Sequence, residues 1–107
     1  QVLLNVISNS LKFTPAFGSL FIDVWKDKAG SFLIISIEDS GPGIALEERT
    51  KIFDRFYRIE KHRNRDTGGS GLGLAISNEI MNRHGGTIKA VDPKIGKGTR
   101  ILLSLPV

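Results

Sequence analysis

The amino-acid sequence predicts an α/β two-layer sandwich, a mostly antiparallel sheet with its helices on one face. Three observations lead there. Short segments with two-residue apolar alternation occur in two pairs, 20–26 with 32–39 and 87–91 with 99–105, and each pair reads as a hairpin. Two longer segments, 1–13 and 72–84, carry apolar residues at helical spacing. The order helix, hairpin, helix, hairpin is satisfied by stacking the helices on one side of a single sheet.

Each element has a local reason. From Gln1 to Phe13, at about 100° per residue, Leu3, Leu4, Val6, Ile7 and Leu11 form one broad face. Asn5, Asn9 and Lys12 fall in a narrow opposite stripe, and Pro15 ends the helix. In 20–26, Leu20, Ile22 and Val24 alternate with Phe21, Asp23 and Trp25. The turn Asp27-Lys28-Ala29-Gly30 then leads to Phe32–Asp39, where Leu33, Ile35, Ile37 and Asp39 share a face. Ser40-Gly41-Pro42-Gly43 breaks the chain, and a short helix is expected from Ala45 to Phe53. A charged, irregular segment runs to Gly69. The second long helix presents Leu72, Ile76 and Ile80 on one face and stops at His84-Gly85-Gly86. The last hairpin turns through a Pro/Lys/Gly segment.

Composition bounds the function classes. A chain of 107 residues is one domain that buries roughly 60–70% of its unfolded surface. The apolar share of 40% and charged share of 24% are those of a soluble globular protein. No apolar run approaches the ~18 residues of a membrane span, and no signal-peptide pattern is visible. The absence of cysteine excludes disulfides and thiolate metal sites. The net charge of +4 fits an anionic ligand or an even spread of lysines equally well. Because the chain opens at Gln1 within a helical pattern, an excerpt from a longer protein is expected.

The stretch Asp66–Ile76 (DTGGSGLGLAI) packs four glycines into six residues before a helical pattern, which suggests a phosphate loop. It is not a Walker loop: Gly68 and Gly73 have the spacing, but Leu74 and Ala75 stand where Lys and Ser/Thr are required. It is not a dinucleotide fingerprint either, because the third glycine would fall at Leu74 or Ile76 and no strand precedes it.

Other residues could carry chemistry. Asp39 ends an apolar strand on the side of Ile35 and Ile37, where a carboxylate is costly without donors. A turn aspartate bonding its own backbone and a ligand-binding carboxylate are both open readings. Gly41 and Gly43 allow a turn and also close approach to a ligand. Asn5 and Asn9 are either solvent-facing or hold an amide oxygen toward a metal ion or water, with Lys12 one turn on to meet phosphate. Arg55, Arg58, Lys61, His62, Arg63 and Arg65 crowd into eleven residues, as a solvated face or an anion clamp. Phe53, Phe56 and Tyr57 interleave with them, although no nucleic-acid partner is expected. His62 and His84 lack a second ligand at metal spacing.

Four segments in this order resemble the ATP-binding catalytic domain of two-component sensor histidine kinases: Gln1–Pro15 (QVLLNVISNSLKFTP) its N box, Asp39–Ile44 (DSGPGI) its first glycine box, Ile52–Arg58 (IFDRFYR) its F box, and Gly68–Ile76 (GGSGLGLAI) its second glycine box. Gly96-Lys97-Gly98-Thr99 resembles the last box. The resemblance implies the Bergerat fold, a helical layer on a mixed sheet, with ATP between the N-box helix and a mobile lid. It implies that Asp39 accepts the adenine amino hydrogen and that Gly41 and Gly43 let backbone pass close to the base. Asn9 would ligate Mg²⁺, Asn5 would support the site, and Lys12 and Arg58 would meet the phosphates. Phe13 would lie along the adenine, where the family often has Tyr and this chain therefore lacks a hydroxyl. Gly69, Gly71 and Gly73 would wrap the phosphates at the helix start, with Ile44, Leu72 and Thr99 completing the nucleotide contacts.

The expected function is binding of Mg-ATP and transfer of its γ-phosphoryl group to a histidine on a dimerisation domain, ahead of a response-regulator receiver domain. Neither His62 nor His84 has the context of such an acceptor, so the isolated chain is expected to lack turnover and to be a monomer taken from a homodimeric parent. A cytoplasmic domain of a parent that can be membrane-bound is expected. A clamp ATPase of the same fold requires a general-base Glu in the first helix, where this chain has Asn5 and Asn9. A non-catalytic nucleotide-binding module is the third reading.

Overall fold

The computed structural model describes residues 1–14, 18–55, 57, 73–94 and 96–107. Helix α1 is Val2–Phe13, strands β1 and β2 are Leu20–Lys26 and Phe32–Asp39, and two 3-10 turns follow at Leu46–Glu48 and Lys51–Phe53. Helix α2 is Gly73–Arg83, and β3 and β4 are Thr87–Val91 and Thr99–Pro106. The single helix expected over 45–53 is thus two short turns.

The strand order is β1-β2-β4-β3, and all three pairings are antiparallel, so the described part of the sheet is not mixed. In the β1–β2 turn, Gly30 takes φ +71°, and Asp27 Oδ1 accepts the N–H groups of Ser31 and Phe32 at 2.9 and 3.1 Å. An Asp that satisfies two turn amides is a local reason for the hairpin to form where it does. The second hairpin is tied to the first by the central β2–β4 pairing, where Ile37 faces Ile101 and Asp39 faces Thr99.

The core lies between the sheet and the helices. Ile35 and Ile37 of β2, Ile88 of β3, and Ile101 and Leu103 of β4 meet Val6 of α1 and Met81 of α2. Ile37 is fully buried, and truncating such a side chain to alanine costs about 2–5 kcal/mol. Because side chains alternate along a strand, Asp39 shares the core-facing side with Ile37, while Ser36 and Glu38 point to the outer face.

The helices bury only part of the faces that apolar periodicity suggests: Val6 of α1 is in the core and Ile7 packs against it, but other members of those faces are exposed. On α1 the buried residues are Val6 and Ser10, whereas Leu3, Leu4 and Leu11 are exposed. On α2 the buried residues are Ala75, Ser77 and Met81, and Ile76 is exposed. The reason is helix–helix contact: polar Asn5 and small Ser77 meet between α1 and α2, so the helices turn their small and polar stripes toward each other. Helix α2 closes as a double glycine cap, with Gly86 N–H to Met81 carbonyl and Gly85 N–H to Asn82 carbonyl at 2.8 and 3.1 Å. His84 at that end bonds the Ile80 carbonyl through Nδ1 at 2.8 Å, which explains one of the two histidines without catalysis. Among the described residues no helix is long and apolar enough to cross a membrane.

Candidate functional site

The end of β2 carries the feature that sequence alone singled out. Asp39 is 6% exposed. Its Oδ1 accepts the Gly41 N–H at 2.9 Å, and the Thr99 N–H and Ser10 hydroxyl also bond the carboxylate. The turn reading of Asp39 is therefore correct as far as it goes, since Gly41 lies two residues on. The other two donors come from β4 and α1, far away in sequence, and a simple turn aspartate needs neither. Burial raises the Asp39 carboxyl above its ordinary 3.8; the three hydrogen bonds oppose that rise and the adjacent Glu38 carboxylate adds to it.

The glycines around Asp39 bring two loops into backbone contact. Gly43 has φ +85°, and a Cβ built there would lie 3.1 Å from the Gly98 carbonyl oxygen. Gly98 has φ +144°, and its Cβ would fall 1.9 Å from the Asp39 carbonyl oxygen. A side chain at Gly98 would overlap backbone, and one at Gly43 would be strained by its φ and tight against the Gly98 carbonyl. The close approach at Gly43 is therefore first of all to the β3–β4 loop. Gly41 is buried in the same turn. Ile44 is half-buried, and its carbonyl accepts from Arg49 Nε at 3.3 Å. Arg49 also pairs with Asp92 at 2.8 Å, which links the 39–44 loop to the end of β3.

The two asparagines of α1 behave differently. Asn5 donates to the Gly73 carbonyl and the Ser77 hydroxyl, both at 3.3 Å. It is committed to the first turn of α2, so any effect on a ligand passes through the position of that helix. Asn9 is half-buried one turn on, and no described residue bonds its amide. Gly73 opens α2 without a positive φ and has open space where a Cβ would be. Of the remaining expected contacts, the side chains of Lys12 and Phe13 and all of Arg58, Gly69, Gly71 and Leu72 lie outside the described residues, as do His62 and the other cations of 58–65.

A cleft beside Asp39 is lined by Ser19, Phe21, Glu38, Ser40 and Lys97. At about 140 Å³ it is smaller than the ~300–1,000 Å³ of a small-molecule pocket and does not by itself hold a nucleotide. Among the described residues no group of three or more His, Cys, Asp or Glu could hold a metal ion. An amide oxygen such as that of Asn9 is a kind of donor accepted by Mg²⁺, which keeps several waters and takes few protein ligands beside phosphates.

Sequence reasoning missed Ser10 and Gly98 as members of this site. Ser10 could have been found as a polar residue one turn beyond Val6 on the buried side of α1. Gly98 lay within the Gly96–Thr99 motif, but nothing in its spacing says that its backbone touches Asp39.

Comparison with known proteins identifies the family. The model of a family described as histidine kinase-, DNA gyrase B-, and HSP90-like ATPases matches residues 1–107. The sensor histidine kinase WalK of Bacillus subtilis is 47% identical over 106 residues, covering 99% of this chain and 17% of that protein. The sensor protein kinase WalK of Staphylococcus aureus is 43% identical over 106 residues, covering 99% of this chain and 25% of that protein. This chain therefore spans a quarter or less of these curated relatives. Among solved structures, the mycobacterial sensor histidine kinase MprB superposes with a TM-score of 0.86 at 35% identity, over 98% of this chain and 69% of that one. Full-length ShkA in complex with AMPPNP gives 0.80 at 31% identity, over 98% of this chain and 20% of that one. The histidine kinase ThkA, in complex with the response regulator protein TrrA, gives 0.76 at 27% identity, over 99% of this chain and 27% of that one. By that match over its whole length and by these identities, the chain belongs to the histidine kinase-, DNA gyrase B-, and HSP90-like ATPase family and has the Bergerat fold of the sensor histidine kinase ATP-binding domains.

Proposed function

We propose that this chain binds Mg-ATP and donates its γ-phosphoryl group to a histidine on the dimerisation domain of a sensor histidine kinase. From there the group would pass to the receiver domain of a response regulator. The observation that carries the reading is Asp39: a carboxylate almost wholly withdrawn from water, held by three donors from three different segments, at the mouth of a glycine-lined loop. An ionised carboxylate has lone pairs left after those bonds and can accept the amino hydrogens of adenine. Desolvation makes that bond strong and makes a base with a carbonyl at the same position unwelcome.

The other residues take positioning roles in this reading. Asn9 would hold the metal through its amide oxygen, and Mg²⁺ supplies neutralisation of charge on the phosphate oxygens. Lys12 and Arg58 would add positive charge, and the free N–H groups where α2 begins would meet phosphate with Gly69, Gly71 and Gly73. Phe13 would contact the adenine ring, with Ile44, Leu72 and Thr99 beside the nucleotide. Transfer breaks the bond from the γ-phosphorus to the bridging oxygen and forms a bond to an imidazole nitrogen, which gives up its proton; ADP leaves. Such chemistry depends mostly on positioning and charge. Use of ATP favours the cytoplasmic side for a membrane-anchored parent. ThkA, a relative of this chain, is known in complex with a response regulator, which supports the receiver domain as partner.

The clamp-ATPase reading finds no support in α1, whose sequence VLLNVISNSLKF contains no acidic residue to activate water. The test combines this chain, a separately produced dimerisation domain and γ-labelled ATP. Acid-labile label on the dimerisation domain is the expected result. Acid-stable label excludes histidine as acceptor, and steady hydrolysis by this chain alone supports the clamp reading. In calorimetry, Asp39→Ala is expected to weaken ATP binding roughly 10- to 100-fold, the worth of a hydrogen bond to a charged group. Unchanged affinity would remove Asp39 from the site.

A further inference from the structure

Directly behind Asp39, on the opposite face of the sheet, lies a second buried carboxylate that the proposed chemistry does not use. Glu38 is 7% exposed, and Arg100, across the β2–β4 ladder from it, has only 14% of its side chain exposed. Arg100 Nε is 2.9 Å from Ser36 Oγ, to which it donates, and 3.8 Å from Glu38 Oε1. Glu38 Oε1 accepts the backbone N–H of Lys94 at 3.1 Å. The Lys94 ammonium and the Arg100 guanidinium both lie over the Trp25 ring, 5.8 and 6.0 Å from its centre. One node on the outer face therefore joins β1, β2, β4 and the loop between β3 and β4.

A buried ion pair is a poor source of net stability, because desolvation offsets most of the Coulombic gain. Its geometry is more informative. The loop it grips ends at Gly98 and Thr99. Gly98 has its backbone against the Asp39 carbonyl, and Thr99 gives its N–H to the Asp39 carboxylate. Moving Lys94 away from Glu38 would shift the segment that supplies one of Asp39's three donors.

We propose that Glu38 is a positioning residue of the nucleotide site: held by Arg100, it anchors the β3–β4 loop through the Lys94 N–H and so fixes the orientation in which Asp39 meets the base. The proposal rests on the reading of Asp39 as the adenine acceptor. Glu38 touches no nucleotide and acts only through Asp39.

The test measures ATP and inosine triphosphate affinities of the chain, the second ligand carrying a carbonyl where adenine has its amine. Glu38→Ala is expected to weaken ATP about 5- to 10-fold and to lower the preference for ATP over inosine triphosphate. Glu38→Gln keeps an oxygen for Lys94 and is expected to stay within about 2-fold of the parent. Trp25, the single tryptophan, reports the loop by its fluorescence, which should change in the Ala variant and not in the Gln variant. In an Asp39→Ala background, Glu38→Ala should have no further effect on selectivity. A merely structural Glu38 would weaken both nucleotides equally and leave their ratio unchanged, and that result overturns the proposal. If Glu38→Ala fails to fold, Arg100→Met removes the cation that holds Glu38 and must show the same loss of selectivity. If Asp39→Ala keeps the preference for ATP, the adenine reading itself falls. If it loses the preference while the Glu38 and Arg100 variants keep it, only the positioning role falls.

Discussion

Asn5 of α1 and Ser77 of α2 are joined by a 3.3 Å hydrogen bond, and the same Asn5 amide donates to the Gly73 carbonyl at 3.3 Å. One side chain therefore ties the two helices together where α2 begins. Ser77 adds its own 2.9 Å bond to Gly73. Replacing Asn5 by Ala should cost about 1 kcal/mol in urea unfolding. Asn5→Asp should cost more, about 1–3 kcal/mol, because it sets a carboxylate oxygen against the Gly73 carbonyl oxygen in place of a donor. Equal effects of the two variants would show that the amide donors are not what matters.

The raised pKa of Asp39 has a direct consequence for stability. Burial lifts the folded-state value above 3.8, so between 3.8 and that raised value the folded chain holds more protons than the unfolded one. Asp39's contribution is therefore most favourable below pH 3.8, declines as pH rises through this window, and is constant above it. Against an Asp39→Asn reference, the wild-type advantage should shrink with rising pH over the window and then level off. Denaturation curves from pH 3 to 7 check the slope; an advantage that grows with pH would mean that the hydrogen bonds outweigh burial. ATP affinity should move the other way and fall on acidification, because a protonated carboxyl offers adenine a poorer acceptor.

Gly98 and Gly30 both have positive φ, yet they predict different outcomes. At Gly30 there is nothing within 4 Å of a built Cβ, so Gly30→Ala should cost only the backbone strain, about 1–2 kcal/mol. At Gly98 the Cβ would overlap the Asp39 backbone, and Gly98→Ala should displace the loop, cost more than ~2 kcal/mol and weaken ATP binding. Thermal unfolding of the two variants, followed by nucleotide titration, separates strain from collision.

The Arg49–Asp92 pair should look unequal from its two ends. Asp92 has 85% of its side chain exposed and Arg49 only 20%. Asp92→Asn should cost less than ~0.5 kcal/mol and vanish in high salt, as exposed pairs do. Arg49→Ala should cost about 1 kcal/mol more, largely independent of salt, because it also removes the bond to the Ile44 carbonyl. A salt series of unfolding midpoints tests the asymmetry.

Much of this was legible in the sequence because it was written in local periodicity. The bounds of β1, β2 and β3 follow from alternation and from Asp27 and Gly30 in the first turn. Asp39 was readable as an anomaly because a carboxylate interrupts an apolar face. The helix faces were legible only in part, through Val6 and Ile7. Leu3, Leu4 and Leu11 count as core by spacing, but the partner of α1 is the polar and small stripe of α2, which only the tertiary arrangement supplies. Ser10, Gly98 and Glu38 escaped for the same reason: each gains its meaning from a residue far away in sequence.

The central β2–β4 pairing brings Asp39 opposite Thr99, across 60 positions of chain. Pairings of that separation are slow to close, because the entropy of the intervening loop is lost before any contact repays it. Each hairpin closes over a short loop, but Asp39 and its β4 donor Thr99 exist as a unit only once the β2–β4 ladder has closed. On the proposed role of Asp39, a chain in which this ladder is open would bind nucleotide poorly, and nucleotide would stabilise the fully paired state by mass action.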